Sequence, residues 1–187
     1  MEVTGTVARN NHADFYETVQ AYTGTSIAIY DAFICCWFTK YKFDLIRPES
    51  YINQYIDPNW MPYLQTPPFP EYNSAHSTIS AAAATVLTSM FENTSFKDSS
   101  ERRWGWPDRH FKTADEAAVE VSLSRFYGGI HYKPSVESAY IQGKKIGNLV
   151  LSKIQNKDYD DYQKPKPTNI FVKKTAMVSP AETRDVK

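Results

Sequence analysis

The sequence has no long apolar segment, no excess charge of either sign and only two cysteines. A membrane-spanning helix needs about 18–20 apolar residues, and the best run, from Ser26 to Phe38, is interrupted by Asp31. Lys+Arg and Asp+Glu number 21 each, so the composition offers no basic surface for wrapping nucleic acid. These absences exclude a membrane span and argue against nucleic acid as the main partner.

The cysteines and the first residues of the chain set further limits. Cys35 and Cys36 are adjacent, so they cannot build a disulfide framework or supply a usual zinc site, and we expect them in the core. Residues 1–12 lack the basic segment, apolar centre and cleavage site of a secretory signal. We therefore expect a soluble protein, with no export signal in this chain.

The apolar content is high enough for a packed core. Of the 187 residues, 42% are hydrophobic and 14% are aromatic, which is too rich for a disordered chain and suits one domain. The end of the chain differs, because residues 156–187 are charged, contain three prolines and have little apolar surface to bury. We expect a single domain over residues 1–155 and a charged, partly disordered arm over 156–187.

Apolar residues at three- and four-residue steps predict helices. The first is a long amphipathic helix over about residues 14–38, with an expected interruption at Gly24. Further helices are predicted over about 73–91, 113–127 and 135–154. The polar segment 92–111 is expected to be irregular, and no alternating run is long enough for a sheet. The predicted fold class is all-α.

Proline interrupts these helices at one place in particular. Residues 57–70 contain five prolines, a density that excludes both a helix interior and a central strand. Long loops within compact domains often line functional sites. We therefore expect this proline-rich loop to contribute to a site.

Three segments combine cationic or imidazole groups with helix ends. Lys40 and Arg47 are seven residues apart, and on a continuous helix they would share one face about 10 Å apart; alone, such a pair is typical of a solvated surface. Residues 73–76 open a helix, where free N–H groups favour an anion, although an ordinary N-cap has the same pattern. Between Arg125 and His131, two glycines allow the chain to unwind and turn the imidazole back, and the alternative is a histidine that caps the helix.

Taken together, the three segments indicate an oxyanion site. Guanidinium and ammonium groups suit the oxygens of a tetrahedral or trigonal-bipyramidal anion. One imidazole could attack or coordinate the central atom while the other exchanges a proton at the opposite apex. The segments are Lys40-x(6)-Arg47-Pro48, Pro67-Pro68-Phe69-Pro70-Glu71-Tyr72-Asn73-Ser74-Ala75-His76-Ser77 and Ser124-Arg125-x(5)-His131.

In order, spacing and residue type, these segments resemble a signature shared by one superfamily. It joins vanadium-dependent haloperoxidases with type 2 phosphatidic acid phosphatases and bacterial class A acid phosphatases. The resemblance spans residues 20–152. The proline-rich lead-in, the small residues at 80–84 and the sequence Tyr-Gly-Gly-Ile-His-Tyr at 127–132 look most like the haloperoxidase branch.

The resemblance implies a helical bundle with the oxyanion at its centre, and it implies a role for each matching residue. Vanadate is the implied cofactor, and phosphate can occupy the same site. His76 is implied as the acid/base, and His131 as the vanadate ligand or, in a phosphatase, the nucleophile. The implied donors to the oxyanion are Lys40, Arg47, Arg125, the Ser74 hydroxyl and the Ala75 N–H.

The chain departs from the family pattern in three respects. Ala75 replaces a glycine, so its methyl group is expected to crowd the anion. Ser135 replaces the acid that usually orients the ligand histidine, so that carboxylate is expected to be missing, with Tyr132 or Glu137 as replacements. The chain resembles only the C-terminal half of longer haloperoxidases, whose members are often exported. Further walls of the site are expected from an absent N-terminal half or from another subunit of a homo-oligomer.

Three functions remain open at this stage. The first is a haloperoxidase-like enzyme, whose small-molecule substrates are hydrogen peroxide and a halide. The second is a phosphatase that hydrolyses phosphomonoesters through a phosphohistidine. The third is a non-catalytic oxyanion-binding or assembly module, although buried cations without a function would be costly.

Overall fold

The computed structural model describes residues 1–155, which form six α-helices and a short hairpin. The predicted all-α class is confirmed, because helices make up most of the described residues. The predicted arm at 156–187 lies outside the described residues. The helices are α1 (Glu2–Asn10), α2 (Phe15–Phe43), α3 (Pro48–Tyr55), α4 (Ala75–Met90), α5 (Ala114–Tyr127) and α6 (Lys133–Gln155).

Helix α4 is the centre of the bundle, and it contacts α2, α5 and α6. Its alanines are strong helix formers with small side chains, so neighbouring helices can approach closely. Helix α6 comes so near that a Cβ added at Gly143 would collide with the Thr78 carbonyl oxygen. This tight packing fixes the first turns of α4, where the oxyanion site was predicted, against the middle of α6.

Helix α2 runs without a break, so the expected interruption at Gly24 is wrong. A Cβ at Gly24 would lie 3.2 Å from Val86 Cγ1, which shows that the glycine is a point of close contact with α4. Asp14 and Glu17 form a capping box at the start of α2. Asp44 ends the helix in the left-handed conformation, with φ of 46°.

The buried face of α2 is the one with small side chains. The bundle covers Ala21, Ala28 and Ala32, which pack where the helices approach most closely. Eight large residues, from Phe15 to Trp37, form the apolar spacing of this helix, and all except the partly buried Trp37 are exposed, so the described bundle leaves an apolar face on α2. The exposed residues are Phe15, Val19, Tyr22, Ile27, Tyr30, Phe33 and Ile34.

The segment 92–111 is not wholly irregular, contrary to the prediction. Strand β1 (Phe96–Asp98) pairs antiparallel with β2 (Arg109–Phe111), and a 3-10 turn at Ser100–Trp104 lies between them. Phe96 lies opposite Phe111, with ring centroids 5.2 Å apart. Strands of three residues are too short for an alternating pattern to be visible in the sequence.

The predictions about a membrane span and about the two cysteines both concern residues that the structure describes. Within residues 1–155, no helix is both long enough and apolar enough to cross a membrane. Cys36 is buried and Cys35 is partly buried, and neither forms a disulfide.

Candidate active site

A cavity of about 370 Å³ opens where α2, α4, α5 and the proline-rich loop meet. Four of the seven predicted site residues line it, namely Ala75, His76, Arg125 and His131. The other three lie behind the wall: Lys40 and Ser74 are fully buried, and Arg47 is 5% exposed. The structure therefore brings the three predicted segments together.

Lys40 and Arg47 do not share a helix face, because α2 ends before Arg47. Arg47 is instead the N-cap of α3, and both cations bind the proline-rich loop. Lys40 Nζ donates to the carbonyls of Pro70, at 2.9 Å, and Glu71, at 3.0 Å. Arg47 Nε donates to the Phe69 carbonyl at 2.9 Å. These carbonyls lack regular secondary-structure partners, so they are available to anchor the two cations.

Arg47 also reaches the segment after α5. Its Nη1 donates to the Ile130 carbonyl at 2.7 Å and lies 3.1 Å from His131 Nε2. The chain turns here because Gly129 adopts φ of 76°, which is the left-handed region that glycine enters without strain. The turn at Gly129 thus returns His131 to the cavity, as the sequence predicted.

Glu71 supplies the carboxylate that position 135 lacks. Its Oε1 lies 2.6 Å from His131 Nδ1 and accepts the Tyr132 N–H at 3.1 Å. The Ser135 hydroxyl donates to Oε2 at 2.8 Å. The expected absence is therefore wrong, because the acid comes from the loop before α4 rather than from position 135.

The two replacements suggested by the sequence do not hold His131. Tyr132 contributes its backbone N–H to Glu71, and Glu137 is exposed on α6, 3.8 Å from Lys133. Glu71 could have been suspected from the sequence, since it is the acid three residues before the Ser74 cap. Its pairing with His131 depends on a contact across 60 positions of the chain.

The environment sets the protonation of this pair. Burial lowers the pKa of His131 to about 4, although the hydrogen bond to Glu71 opposes that shift. Burial raises the pKa of Glu71, but hydrogen bonds from His131 and Ser135 bring it below its usual value. At neutral pH the imidazole is therefore neutral and donates from Nδ1, which leaves the Nε2 lone pair facing Arg47.

The other two titratable groups remain suited to their predicted roles. Burial lowers the pKa of Lys40 to about 8, so the amine keeps its proton at pH 7. Partial burial of the ring is the main cause that lowers the pKa of His76, and the positive charges of Arg125 and Lys40 lower it further. His76 is thus neutral at pH 7, and it remains exposed at the cavity mouth.

The start of α4 adds neutral donors. Ser74 is the N-cap, and its Oγ accepts from the Ser77 hydroxyl at 2.8 Å, so its own proton can point elsewhere. The Ala75 N–H belongs to the first turn, where amides have no acceptor within the helix. The helix dipole also favours negative charge at this end.

The residues fit an oxyanion such as vanadate. Arg125 Nε is buried and has no hydrogen-bond partner among the described residues. The predicted site brings together three cations, Lys40, Arg47 and Arg125, and Glu71 is the carboxylate that pairs with its histidine, so positive charge is in excess there. A buried unpaired donor is costly, and a bound oxyanion would provide its acceptor. Within residues 1–155 there is no group of three or more His, Cys, Asp and Glu side chains able to hold a metal ion.

Comparisons with known proteins identify the family of this chain. Residues 20–158 match the family model described as the VCPO second helical-bundle domain. No curated protein matches the chain. A bacterial vanadium-dependent iodoperoxidase is 49% identical, with a TM-score of 0.77, and the match covers 81% of this chain and 37% of that one.

Two bacterial vanadium-dependent chloroperoxidase structures share the fold. The holo-type structure is 19% identical with a TM-score of 0.65, and the match covers 82% of this chain and 39% of that one. The apo-type structure is 17% identical with a TM-score of 0.72, and the match covers 82% of this chain and 41% of that one. The chain thus spans about two fifths of the length of these structures. On its match to the family model over residues 20–158, the chain belongs to the vanadium haloperoxidase superfamily.

Proposed function

We propose that this chain forms the oxyanion-binding catalytic part of a vanadium-dependent haloperoxidase. The observation that carries the proposal is the neutral His131, whose Nδ1 is held by Glu71 and whose Nε2 lone pair is directed toward cations. That lone pair is the kind of donor that vanadate requires. Bound vanadate would supply an electrophilic centre that activates hydrogen peroxide toward a halide.

The cations would hold the oxygens of the anion. Arg125 lines the cavity with an unpaired Nε, so it can donate directly. Lys40 and Arg47 are largely engaged by loop carbonyls, so their contribution comes mainly from charge and from the few N–H groups that remain. Arg47 Nη1 must also release His131 Nε2 when an oxyanion binds there. Ser74 Oγ and the Ala75 N–H would complete the donor set at the start of α4.

His76 would act as the acid/base. Its lowered pKa leaves a ring nitrogen free to accept a proton at pH 7. It would take that proton from incoming peroxide and return it to the departing oxygen, and its place at the open mouth allows both exchanges. The 49% identity to an iodoperoxidase favours iodide as the halide.

Thermal melts across a vanadate series test the site. At about 100 times Kd, one site stabilises the fold by roughly 2.7 kcal/mol. Wild type and His76→Ala should both show the shift, whereas His131→Ala should lose it. His12→Ala is the matched control, because His12 is exposed and lies outside the cavity. An equal shift in His131→Ala would contradict the assignment of the ligand.

A paired assay tests the reaction. With vanadate, hydrogen peroxide and iodide, wild type should turn over, and His76→Ala should be slower by about 10²–10⁴, as expected for loss of an acid/base. A phosphomonoester is the second substrate. Turnover of the phosphomonoester alone would favour a phosphatase, and vanadate binding with neither activity would favour the non-catalytic module.

A further inference from the structure

The described bundle leaves the outer side of helix α2 largely uncovered. Eight residues follow one another along this side at steps of three and four, so they lie in one line over the length of the helix. All but one of them are apolar or aromatic. We call this line the outer seam, and it consists of Phe15, Val19, Tyr22, Ser26, Tyr30, Phe33, Trp37 and Tyr41.

The exposed charged residues of α2 lie away from the outer seam. They are Glu17, Asp31 and Lys42. Their separations along the chain are close to whole numbers of helical turns, so they share a separate line on one flank of the helix. A long helix face without any charge is typical of one that packs against another apolar surface.

The exposed apolar area of α2 is large enough for a stable interface. Eleven large side chains of this helix are 36–86% exposed. At about 150–250 Å² for a large side chain, their exposed parts present roughly 1,000 Å² on each copy of the chain. A stable interface buries about 800 Å² on each partner. A contact that covers most of this face would therefore hold two copies together.

The outer seam matches itself when a second copy runs antiparallel. With a two-fold axis at Ala28, positions at equal distances on either side of Ala28 lie opposite each other in the two copies. Ser26 then lies opposite Tyr30. Val19 lies opposite Trp37, so a smaller side chain meets a large one at each of these contacts. Such a self-complementary patch is what a two-fold contact between identical chains requires.

The ends of α2 agree with this register. Phe15 lies opposite Tyr41, which brings two aromatic rings together at each end of the contact. Lys42 of one copy comes level with Asp14 of the other, so opposite charges flank the contact at both ends. A parallel pair would instead bring like charges level with each other. The charges and the helix dipoles therefore favour the antiparallel pair.

The outer seam borders the oxyanion cavity. Phe33 and Trp37 stack with ring centroids 4.1 Å apart, and both line that cavity. Phe33 is 43% exposed, so the aromatic wall of the cavity is open on the side of the seam. A second copy that lies on the seam would cover this wall, and it would thus supply the further enclosure that was expected from another subunit.

We propose that the outer seam of α2 binds a second copy of this chain, antiparallel across a two-fold axis at Ala28. Each copy then covers the aromatic wall of the other's oxyanion cavity. The contact does not depend on the proposed function, because apolar area and shape carry it. Exclusion of water from the cavity would strengthen the attraction between its cations and a bound anion.

Sedimentation equilibrium of the full chain tests the contact. Wild type at micromolar concentration should show the mass of two 21.4 kDa chains. Tyr30→Lys places two cations near the axis, and it should weaken dimerisation at least about 100-fold. Val119→Lys is the matched control, because Val119 is an exposed apolar residue on α5, outside the outer seam. This control should remain dimeric.

A monomeric wild type would overturn the proposal and would leave the seam to a different partner. Larger open assemblies would overturn it as well, and so would a Val119→Lys variant that dissociates as readily as Tyr30→Lys. Circular dichroism shows whether each variant keeps its helices. If Tyr30→Lys does not fold, Phe15→Lys tests the same contact at its ends, where the side chain is 86% exposed.

Crosslinking tests the antiparallel register. In the double variant Ser26→Cys/Tyr30→Cys, the new thiols of one copy lie opposite those of the other, so mild oxidation should link the copies. Ser26→Cys alone should link poorly, since the same position in the second copy lies about 6 Å further along the helix. Efficient linking by Ser26→Cys alone, or none by the double variant, would overturn the register. Oxidised wild type controls for links through Cys35 and Cys36.

Vanadate titration tests whether the contact encloses the cavity. Thermal melts should show that monomeric Tyr30→Lys binds vanadate several-fold more weakly than dimeric wild type. Equal affinities would overturn the enclosure. A dimeric wild type without any vanadate shift would show instead that the proposed function has failed while the contact between copies remains.

Discussion

Replacing Glu71 by glutamine removes one charge and keeps the shape of the side chain. In wild type the carboxylate accepts from His131 Nδ1, the Tyr132 N–H and the Ser135 hydroxyl, at 2.6–3.1 Å. The glutamine oxygen can still face His131 and Tyr132, and the Ser135 hydroxyl can rotate to accept from the amide. Hydrogen bonds to a charged group contribute about 1.5–3 kcal/mol and neutral ones about 0.5–1.5. Relief of carboxylate desolvation offsets part of the difference, so we expect Glu71→Gln to cost about 2 kcal/mol.

The effect on ligand binding should depend on the anion. Loss of the group that orients a coordinating histidine typically lowers affinity about 10–100-fold. Vanadate, which needs the His131 lone pair, should therefore bind more weakly to Glu71→Gln. Phosphate is held by charge and hydrogen bonds alone, and removing a negative charge beside the site should leave its affinity equal or higher.

Titrations of both anions, followed by thermal melts, measure the two affinities in one experiment. Glu137→Gln is the matched control, because it removes the same charge from an exposed position on α6. The reasoning would be refuted if folded Glu71→Gln kept the wild-type affinity for vanadate, or if Glu137→Gln lost as much.

Ser135→Asp would place a second carboxylate against Glu71, so it should lower both the stability of the fold and its affinity for vanadate. Both losses should grow as pH rises from 4 to 8, because the two carboxylates become charged. Ser135→Asn is the uncharged comparison, and an increase in the vanadate affinity of Ser135→Asp would contradict the geometry. Wild type should lose stability as pH falls from about 6.5 to 4, because His131 takes up a proton in the unfolded chain over this range but binds it in the folded protein only near pH 4. Thermal melts across that range should show that the melting temperature of His131→Gln depends less on pH. Gly143→Ala should cost about 1–3 kcal/mol in chemical denaturation, since its Cβ would meet the Thr78 carbonyl, and an unchanged midpoint would show that α6 can move away from α4.

Local patterns determined most of the helices. The apolar spacing, the Ser74 cap and the Gly128–Gly129 break place the start of α2 and both ends of α4 and α5 within two residues of the observed positions, whereas α2 continues to Phe43, beyond its predicted end at about residue 38. These signals involve residues within one or two turns of each other, so they can be seen without the tertiary structure. The same applies to the three motif segments, whose order and spacing indicated an oxyanion site and the family.

The sequence did not show which face of α2 the bundle buries. Hydrophobicity favoured the large apolar residues, but α4 presents alanines and needs a partner that can approach closely. Small residues such as Ala28 and Ala32 allow that approach, so close packing buries the face of α2 with small side chains instead of the face with large apolar ones. Strands of three residues likewise depended on the pairing of Phe96 with Phe111, which lies outside any local pattern.

The partner of His131 also depended on the tertiary structure. The residue four positions after the histidine was the natural place to look, and serine there suggested that the carboxylate was missing. Glu71 reaches His131 because Lys40 and Arg47 bind the proline-rich loop through its carbonyls and bring the acid to the start of α6. The sequence therefore determined which chemical groups the site contains, whereas the fold determined which carboxylate orients the histidine, because that pairing joins residues far apart in the chain.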